Sequence, residues 1–435
     1  MKKSSKSVWS RFVMTFAAAF LLMLVTTVPV KADSSVPLVA DMKQTDASTT
    51  SAGISWSCPG SEVRFKIEMS EQMSDGYWTY KEIQSSASIT LTKLGAGKVY
   101  YVRITPFKYN IEGWNKYTKV MGTTSQPLRI VTAPDTASAT LTHTKSSTNT
   151  IGLKWSEVPG ADVYQVVYSQ SGTTNEFTKE TTGTSVTLKN LSKDARYTIK
   201  VRAGKKYTDG TGRAWGLGTT KYGVPVKPTK VEGVKVKGYY QNLSKINITN
   251  KAKTCADGYQ YQLYTAYKGQ NKETKVKSIT VNQNNPGSSN QVSASMKLSA
   301  LKNHNFYKVR VRAYSLNSKD EKIYGVWSSW KYVSPQPDVT KAKNNKSKKG
   351  IQINWDKIKG ANRYVVYVSN KKDSGYKKFQ TTTKTGTVIT KCGKSKLKSG
   401  KTYYFYIAPQ KKVGNKYVSG LAGNANYCWK LKYKK

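Results

Sequence analysis

The chain has 435 residues, more than a single hydrophobic core usually organises. Its 72 Lys and Arg against 24 Asp and Glu give a formal net charge of +48, which points to anionic partners. Two histidines far apart in sequence, His143 and His304, give no His-based metal cluster, and four cysteines cannot staple a chain this long as a disulfide scaffold. The 30 Tyr and 10 Trp supply material for packed cores, which argues against wholesale disorder.

The first residues read as an address. Lys2, Lys3, Lys6 and Arg11 form a basic region, an apolar run follows from Phe12 to Val28, and Val30-Lys31-Ala32 offers a small-residue cleavage site. Residues 1–32 are therefore expected to be a signal peptide and the rest to be secreted. The alternative is an uncleaved anchor, the one route by which this chain would hold a membrane.

Beyond it the sequence repeats itself about every hundred residues, which points to an array. Trp56, Trp155 and Trp355 each end a short alternating run, and an aromatic follows nine residues later at Phe65, Tyr164 and Tyr364. A fourth copy has Asn250 in place of Trp, with Tyr259 nine residues on. Farther along each copy a Leu is followed after six residues by a Tyr: Leu94/Tyr100, Leu191/Tyr197, Leu301/Tyr307 and Leu397/Tyr403. The segment after that Tyr alternates with period two, as Tyr197, Ile199, Val201 and Ala203 show, and Gly, Asn, Asp and Pro punctuate the short runs. No long helical period is present, so each copy reads as a small β-sandwich.

A Trp on the second strand, an aromatic on the third and Leu-x5-Tyr before a Tyr-x-Val-x-Val-x-Ala strand resemble the fibronectin type III domain. That resemblance implies an all-β tandem array of four sandwiches, and it makes Leu-x5-Tyr a tyrosine corner. Trp56, Trp155, Trp355, Tyr100, Tyr197, Tyr307 and Tyr403 are then structural residues. The wording Gly97-Lys98-Val99-Tyr100-Tyr101 and Gly400-Lys401-Thr402-Tyr403-Tyr404 is similar to arrays in secreted proteins of Gram-positive bacteria. Asn250 departs from the pattern and implies a third unit that is less stable or packed differently. That unit also has a long polar stretch, Asn282–Asn290. Prolines near the junctions set expected domains at 33–133, 134–227, 228–337 and 338–435.

Charge is graded along these units. The net value rises from +2 in the first to +6, +13 and +22 in the fourth. In the fourth, Lys341, Lys343, Lys346, Lys348 and Lys349 crowd the start, Lys391, Lys394, Lys396, Lys398 and Lys401 a later hairpin, and Lys430, Lys432, Lys434 and Lys435 the end. Such a field repels itself unless an anion screens it. Expected partners are anionic cell-wall polymer or acidic polysaccharide, and a protein or glycan ligand is the second class. Specific nucleic-acid binding is not expected, because a secretory leader argues against an intracellular role.

Strand alternation puts Val365, Tyr367, Tyr404 and Tyr406 on the outer face of the fourth unit. They either stack on a ligand or pair across strands. Trp114, Trp215 and Trp327 recur after the sixth strand and are expected to pack over the sandwich edge. Cys392 and Cys428 are a possible disulfide; Cys58 and Cys255 are expected to be isolated thiols. No nucleophile elbow, His-Glu-x-x-His or P-loop occurs, no Arg-Gly-Asp is present, and no motif implies a cofactor. The functional expectation is a secreted, non-catalytic protein of the bacterial cell envelope. Its basic half would bind wall polymer, and its first units would act as spacer or interaction head. The alternative is an adhesin or carbohydrate-binding module with specificity in the third and fourth units.

Overall fold

The computed structural model describes residues 36–136, 139–238, 245–269, 272–282, 290–297, 304–421 and 428–435. The expected signal peptide, Leu301 and most of the 282–290 stretch lie outside them. Every regular element among the described residues is a strand. The chain forms two compact units, one built on Ala52–Leu91 and Val99–Ile130, the other on Val131–Lys435. The first unit holds one β-sandwich, and the second holds three.

The plan is constant. In the second sandwich a three-stranded antiparallel sheet orders Ser185–Leu188, Ile151–Lys154 and Thr142–Ser146. It faces a five-stranded sheet in which Glu176–Thr181 pairs with Val163–Gln170, Val163–Gln170 pairs with Arg196–Lys206, and Arg196–Lys206 pairs with both Arg213–Trp215 and Thr219–Pro225. The period-two pattern drives this. Tyr197, Ile199, Val201 and Ala203 are buried, while Thr198, Lys200 and Arg202 between them keep partial access to water.

The Trp and its aromatic nine residues on meet at the centre of three cores. Ring centroids are 5.2 Å apart for Trp56–Phe65, 5.5 Å for Trp155–Tyr164 and 5.6 Å for Trp355–Tyr364. The corner tyrosine closes the turn before its own strand. The Ser192 N–H donates to Tyr197 Oη at 2.8 Å, and the Lys398 N–H to Tyr403 Oη at 2.8 Å. In the third sandwich Tyr307 Oη accepts from Asn305 Nδ2 at 3.1 Å.

The third sandwich is packed differently, by a paired exchange. Asn250 is fully buried where the others hold Trp, and Tyr261 stands where the second and fourth hold Val166 and Val366. The Tyr261 hydroxyl donates to Asn250 Oδ1 at 2.7 Å, and Asn250 Nδ2 donates to the Lys251 carbonyl at 2.9 Å. The larger ring on one strand fills what the smaller residue on the other vacates. Trp56, Trp155 and Trp355 each leave a buried indole N–H without a partner, whereas the Asn–Tyr pair is bonded at both ends.

The last three sandwiches interlock. Cys255, from the third, is buried in the core of the second, and burial pushes its thiol up to about 11, so it stays protonated and unreactive. Arg196 reaches across to Asp257 Oδ2 at 2.8 Å and the Cys255 carbonyl at 2.9 Å. Asp194 accepts from Thr229 N at 2.8 Å, Thr229 Oγ1 at 2.6 Å and Lys253 Nζ at 2.9 Å. Burial opposes ionisation of Asp194, but these bonds outweigh it and hold its carboxyl below the usual range. At the next joint Phe306, from the third sandwich, is fully buried in the core of the fourth. Backbone bonds from Phe306 N to Lys359 O at 2.9 Å and from Lys359 N to His304 O at 2.6 Å fix it. Gly360, at φ +93°, lies so close that a Cβ would stand 2.8 Å from the Tyr267 ring.

Two outcomes test these arrangements. Tyr261→Phe strands a buried Asn250 acceptor, a loss of about 1–3 kcal/mol. Amides of Lys245–Lys251 and Gly258–Gly269 then exchange hydrogen roughly 5- to 150-fold faster, with those of the second sandwich as internal control; unchanged exchange would contradict the pairing. Asp194, held low when folded, contributes stability that is full above its ordinary value of about 3.9 and is lost as pH falls through the lower folded value. The difference in melting temperature between the parent and Asp194→Asn should therefore be largest near neutrality and close in acid.

Candidate functional site

The fourth sandwich gathers its lysines at one pole. Its three-stranded sheet runs Val339–Asn345, Gly350–Trp355, Gly386–Ile389. The facing sheet pairs Lys377–Thr382 with Arg363–Ser369, and Arg363–Ser369 with Thr402–Val413. Lys416–Ser419 and Trp429–Lys432 share the other side of Thr402–Val413. Lys341 and Lys343 project from the edge strand Val339–Asn345. Lys346, Lys348 and Lys349 occupy the tight turn after it, closed by Lys349 N to Lys346 O at 3.1 Å and Lys348 N to Asn345 Oδ1 at 2.9 Å.

The chain end is tied to that turn and to the tyrosine corner. Asn344 Nδ2 donates to Lys432 O at 3.2 Å, and Asn344 Oδ1 accepts from Lys434 N at 3.0 Å. Gly400 N bonds Tyr433 O, Tyr433 N bonds Lys401 O, both at 2.8 Å, and Lys435 N bonds Ser399 Oγ at 3.2 Å. Tyr433 is buried, so its neighbours Lys432 and Lys434 are turned outward. Lys394, Lys396, Lys398 and Lys401 belong to the corner connection itself, while Lys341 and Lys430 lie farther along their strands. All thirteen expected lysines are exposed. Segments that are distant in sequence thus meet in one cationic field.

No compensating acid accompanies them. Among the described residues, the ion pairs of lysines and arginines all involve positions from Lys66 to Lys308, and none includes these thirteen. Residues 338–435 hold three carboxylates, Asp338, Asp356 and Asp373. Lys391 and Lys396 even stand directly opposite each other across a two-residue hairpin, an arrangement that costs stability without a counter-charge.

Cations of the third sandwich are used otherwise. Arg310 lies over Trp327 at 4.2 Å and Trp330 at 4.7 Å, and Arg312 over Tyr324 at 3.7 Å and Trp327 at 4.4 Å. Their guanidinium edges donate to Gln262 and Gln260 at 2.7–3.0 Å. Lys308 pairs with Glu273 and lies over Trp330 at 4.3 Å. The ladder covers the outer sheet, so part of that unit's charge is already engaged.

Trp327 and Trp215 pack as expected, Trp215 over Arg202 at 4.8 Å. Gly204 makes room, since a Cβ there would lie 2.6 Å from the Trp215 ring. Trp114 does not pack. It stands at the tip of the hairpin formed by Val99–Gly113 and Lys116–Met121 and is 100% exposed, with Ile111 at 74% and Tyr117 at 59% beside it. The reason is position: Trp215 lies within a paired strand, whereas Trp114 lies in the turn beyond the last pair. A Trp recurring after the sixth strand does not by itself separate these cases. The resulting apolar tip adjoins an open groove lined by Glu62, Arg64, Tyr109, Ile111 and Tyr117.

The fourth sandwich's tyrosines are partly enclosed. Tyr367 stacks on Tyr406 at 4.7 Å and 11°, Tyr376 meets Tyr406 edge-on at 5.0 Å, and burial raises the Tyr406 phenol to about 12. Tyr404 sits apart, opposite Ser369 and Lys430, and Val365 is buried. Cys392 and Cys428 are not joined; both thiols are free. Cys392 packs against the core and bonds the Val368 carbonyl, while Cys428 lies on the outer side with Tyr376 and bonds the Lys372 carbonyl. The possible Cys392–Cys428 disulfide is therefore not formed in this structure. Cys58 and Cys255 are free as well.

Exposure of Trp114 has a direct check. Trp114→Ser should leave the melting curve within about 0.5 kcal/mol of the parent while removing fluorescence that acrylamide quenches readily. A marked loss of stability would place this side chain in a core.

Comparison with known proteins adds the following. No curated protein matches the chain. Among solved structures, the chicken CNTN1 FN1-FN3 domains are 18% identical over 68% of this chain and 97% of that one, with a TM-score of 0.27. No match supports the Gram-positive source suggested by the wording around Tyr100 and Tyr403. The chain is an array of all-β sandwiches, and residues 133–215, which form most of the second, match the fibronectin type III domain family.

Proposed function

We propose that this is a secreted, non-catalytic array that attaches to an anionic polymer of the cell envelope through the lysine pole of its fourth sandwich. The observation that carries the reading is the convergence of lysines from three separate segments with no carboxylate partners. Like charges repel one another, an effect that is screened beyond a Debye length of about 8 Å at physiological salt. A polyanion relieves that repulsion and gains an attraction at each contact. Lysines without fixed partners suit a flexible, repeating anion such as a wall teichoic acid or an acidic polysaccharide, rather than one planar group.

The first sandwich supports a second role. It is nearly neutral and carries the exposed Ile111–Trp114–Tyr117 tip, a surface suited to a protein or glycan partner. This favours the adhesin reading for that unit, with specificity there rather than in the enclosed Tyr367–Tyr406 pair.

The test uses the full chain and isolated Gram-positive walls, native or stripped of teichoic acid, over a salt series. Reversing Lys343, Lys348, Lys396 and Lys434 to Glu should abolish sedimentation with native walls at physiological salt. Reversing Lys145, Lys154, Lys189 and Lys193, an equal change in net charge, should leave most of it. Equal loss from both sets would reduce the effect to overall charge. Binding that resists salt and stripping would overturn the tether and turn attention to the Trp114 tip.

A further inference from the structure

The two joints of the second compact unit use equivalent positions in opposite electrical senses. Asp194 and His304 each lie three residues before a corner tyrosine, Tyr197 and Tyr307. Thr229 and Asp338 each follow a junction proline, Pro228 and Pro337. At the first joint a cation completes the set: Lys253 Nζ sits 2.9 Å from Asp194 Oδ2 and 2.7 Å from Thr229 Oγ1. At the second joint no such cation is bonded to the set among the described residues. His304 Nε2 instead faces Asp338 Oδ2 at 3.6 Å and Asp356 Oδ2 at 3.5 Å.

Those separations are too long for hydrogen bonds, which run about 2.7–3.2 Å from nitrogen to oxygen. They do match two ligands of one ion. With bonds of about 2.0–2.2 Å, a tetrahedral zinc-type ion holds its nitrogen and oxygen ligands roughly 3.4 Å apart. The ligand atoms of all three residues lie within 4.8 Å of one another. His304 Nε2 is shielded from water and has no hydrogen-bond partner. The frame is held by main-chain bonds: Lys359 N to His304 O at 2.6 Å and Asp356 N to Asp338 O at 2.9 Å. It is a notable place for carboxylates, since Asp338 and Asp356 are two of the three among residues 338–435.

We infer that His304, Asp338 and Asp356 form a binding site for a divalent metal ion of the zinc type, which pins the third sandwich to the fourth. One imidazole nitrogen and two carboxylate oxygens supply three ligands, and water completes the shell.

Titration calorimetry of the full chain with zinc chloride tests this, after accessible thiols have been alkylated so that cysteine cannot bind. One ion per chain is expected. His304→Gln and Asp356→Asn should each weaken binding by about 100-fold or more, beyond what loss of an outer partner costs. Metal-free melting curves establish that both variants fold. Cobalt(II) on the alkylated parent should give visible bands of tetrahedral nitrogen–oxygen ligation without a thiolate charge-transfer band. No uptake by the alkylated parent, or uptake that persists in both variants, overturns the site.

Discussion

A hydrogen bond accepted by the phenol oxygen of the corner tyrosine orders the pole of each sandwich in the second compact unit. In the second and fourth sandwiches it closes the connection before the long central strand, through Ser192 to Tyr197 and Lys398 to Tyr403. In the third, Tyr307 is held by Asn305 instead. The bond contributes about 1 kcal/mol in itself, but its larger effect is geometric. It presents the residues just before the tyrosine at the pole of the sandwich. In the second sandwich that presents Asp194 to Thr229 and Lys253, and in the fourth it exposes Lys398 and Lys401; in the third, with Asn305 as donor, His304 lies beside two aspartates. The same corner position serves three kinds of electrostatics.

The third sandwich shows how far such a frame tolerates exchange. Losing the central Trp to Asn250 would leave a cavity with a buried carboxamide at its wall, which costs several kcal/mol in a close-packed core. Tyr261 removes both problems, its ring occupying the space and its hydroxyl satisfying the amide. The outer face of the same sandwich follows the same logic. Its arginines are desolvated by aromatic rings on their faces and bonded by glutamines at their edges, so charge there stiffens a sheet. In the fourth sandwich charge is left facing water.

What could be read from sequence follows from range. Trp155 and Tyr164 sit on adjacent strands a fixed distance apart, and the period-two run from Tyr197 to Ala203 states its own buried face; both are local facts. The lysine clusters were visible, but their convergence depends on bonds from Asn344 to Lys432 and Lys434, about ninety residues away. Trp114 misled because, like Trp215, it follows the sixth strand of its unit, while its hairpin places it in the turn beyond the last strand pair. Cys392 and Cys428 have different partners, the Val368 carbonyl for one and the Lys372 carbonyl and Tyr376 for the other, which sequence spacing does not reveal. The neighbours of His304 could not be read from spacing. Its companions are carboxylates from a junction and from the end of another strand, which only the docking of two sandwiches brings near.

Phe306 and Cys255 bear on how such arrays are inherited. Each is a fully buried side chain lent by one sandwich to the core of its neighbour. Recombination at the junction prolines would separate lender from borrower, leaving an unfilled gap on one side and a bare apolar group on the other. The portable cassette is therefore not the single hundred-residue repeat that the sequence displays. Duplication or exchange that preserves folding must carry adjoining sandwiches together, so the repeats diverge as linked neighbours rather than as interchangeable beads.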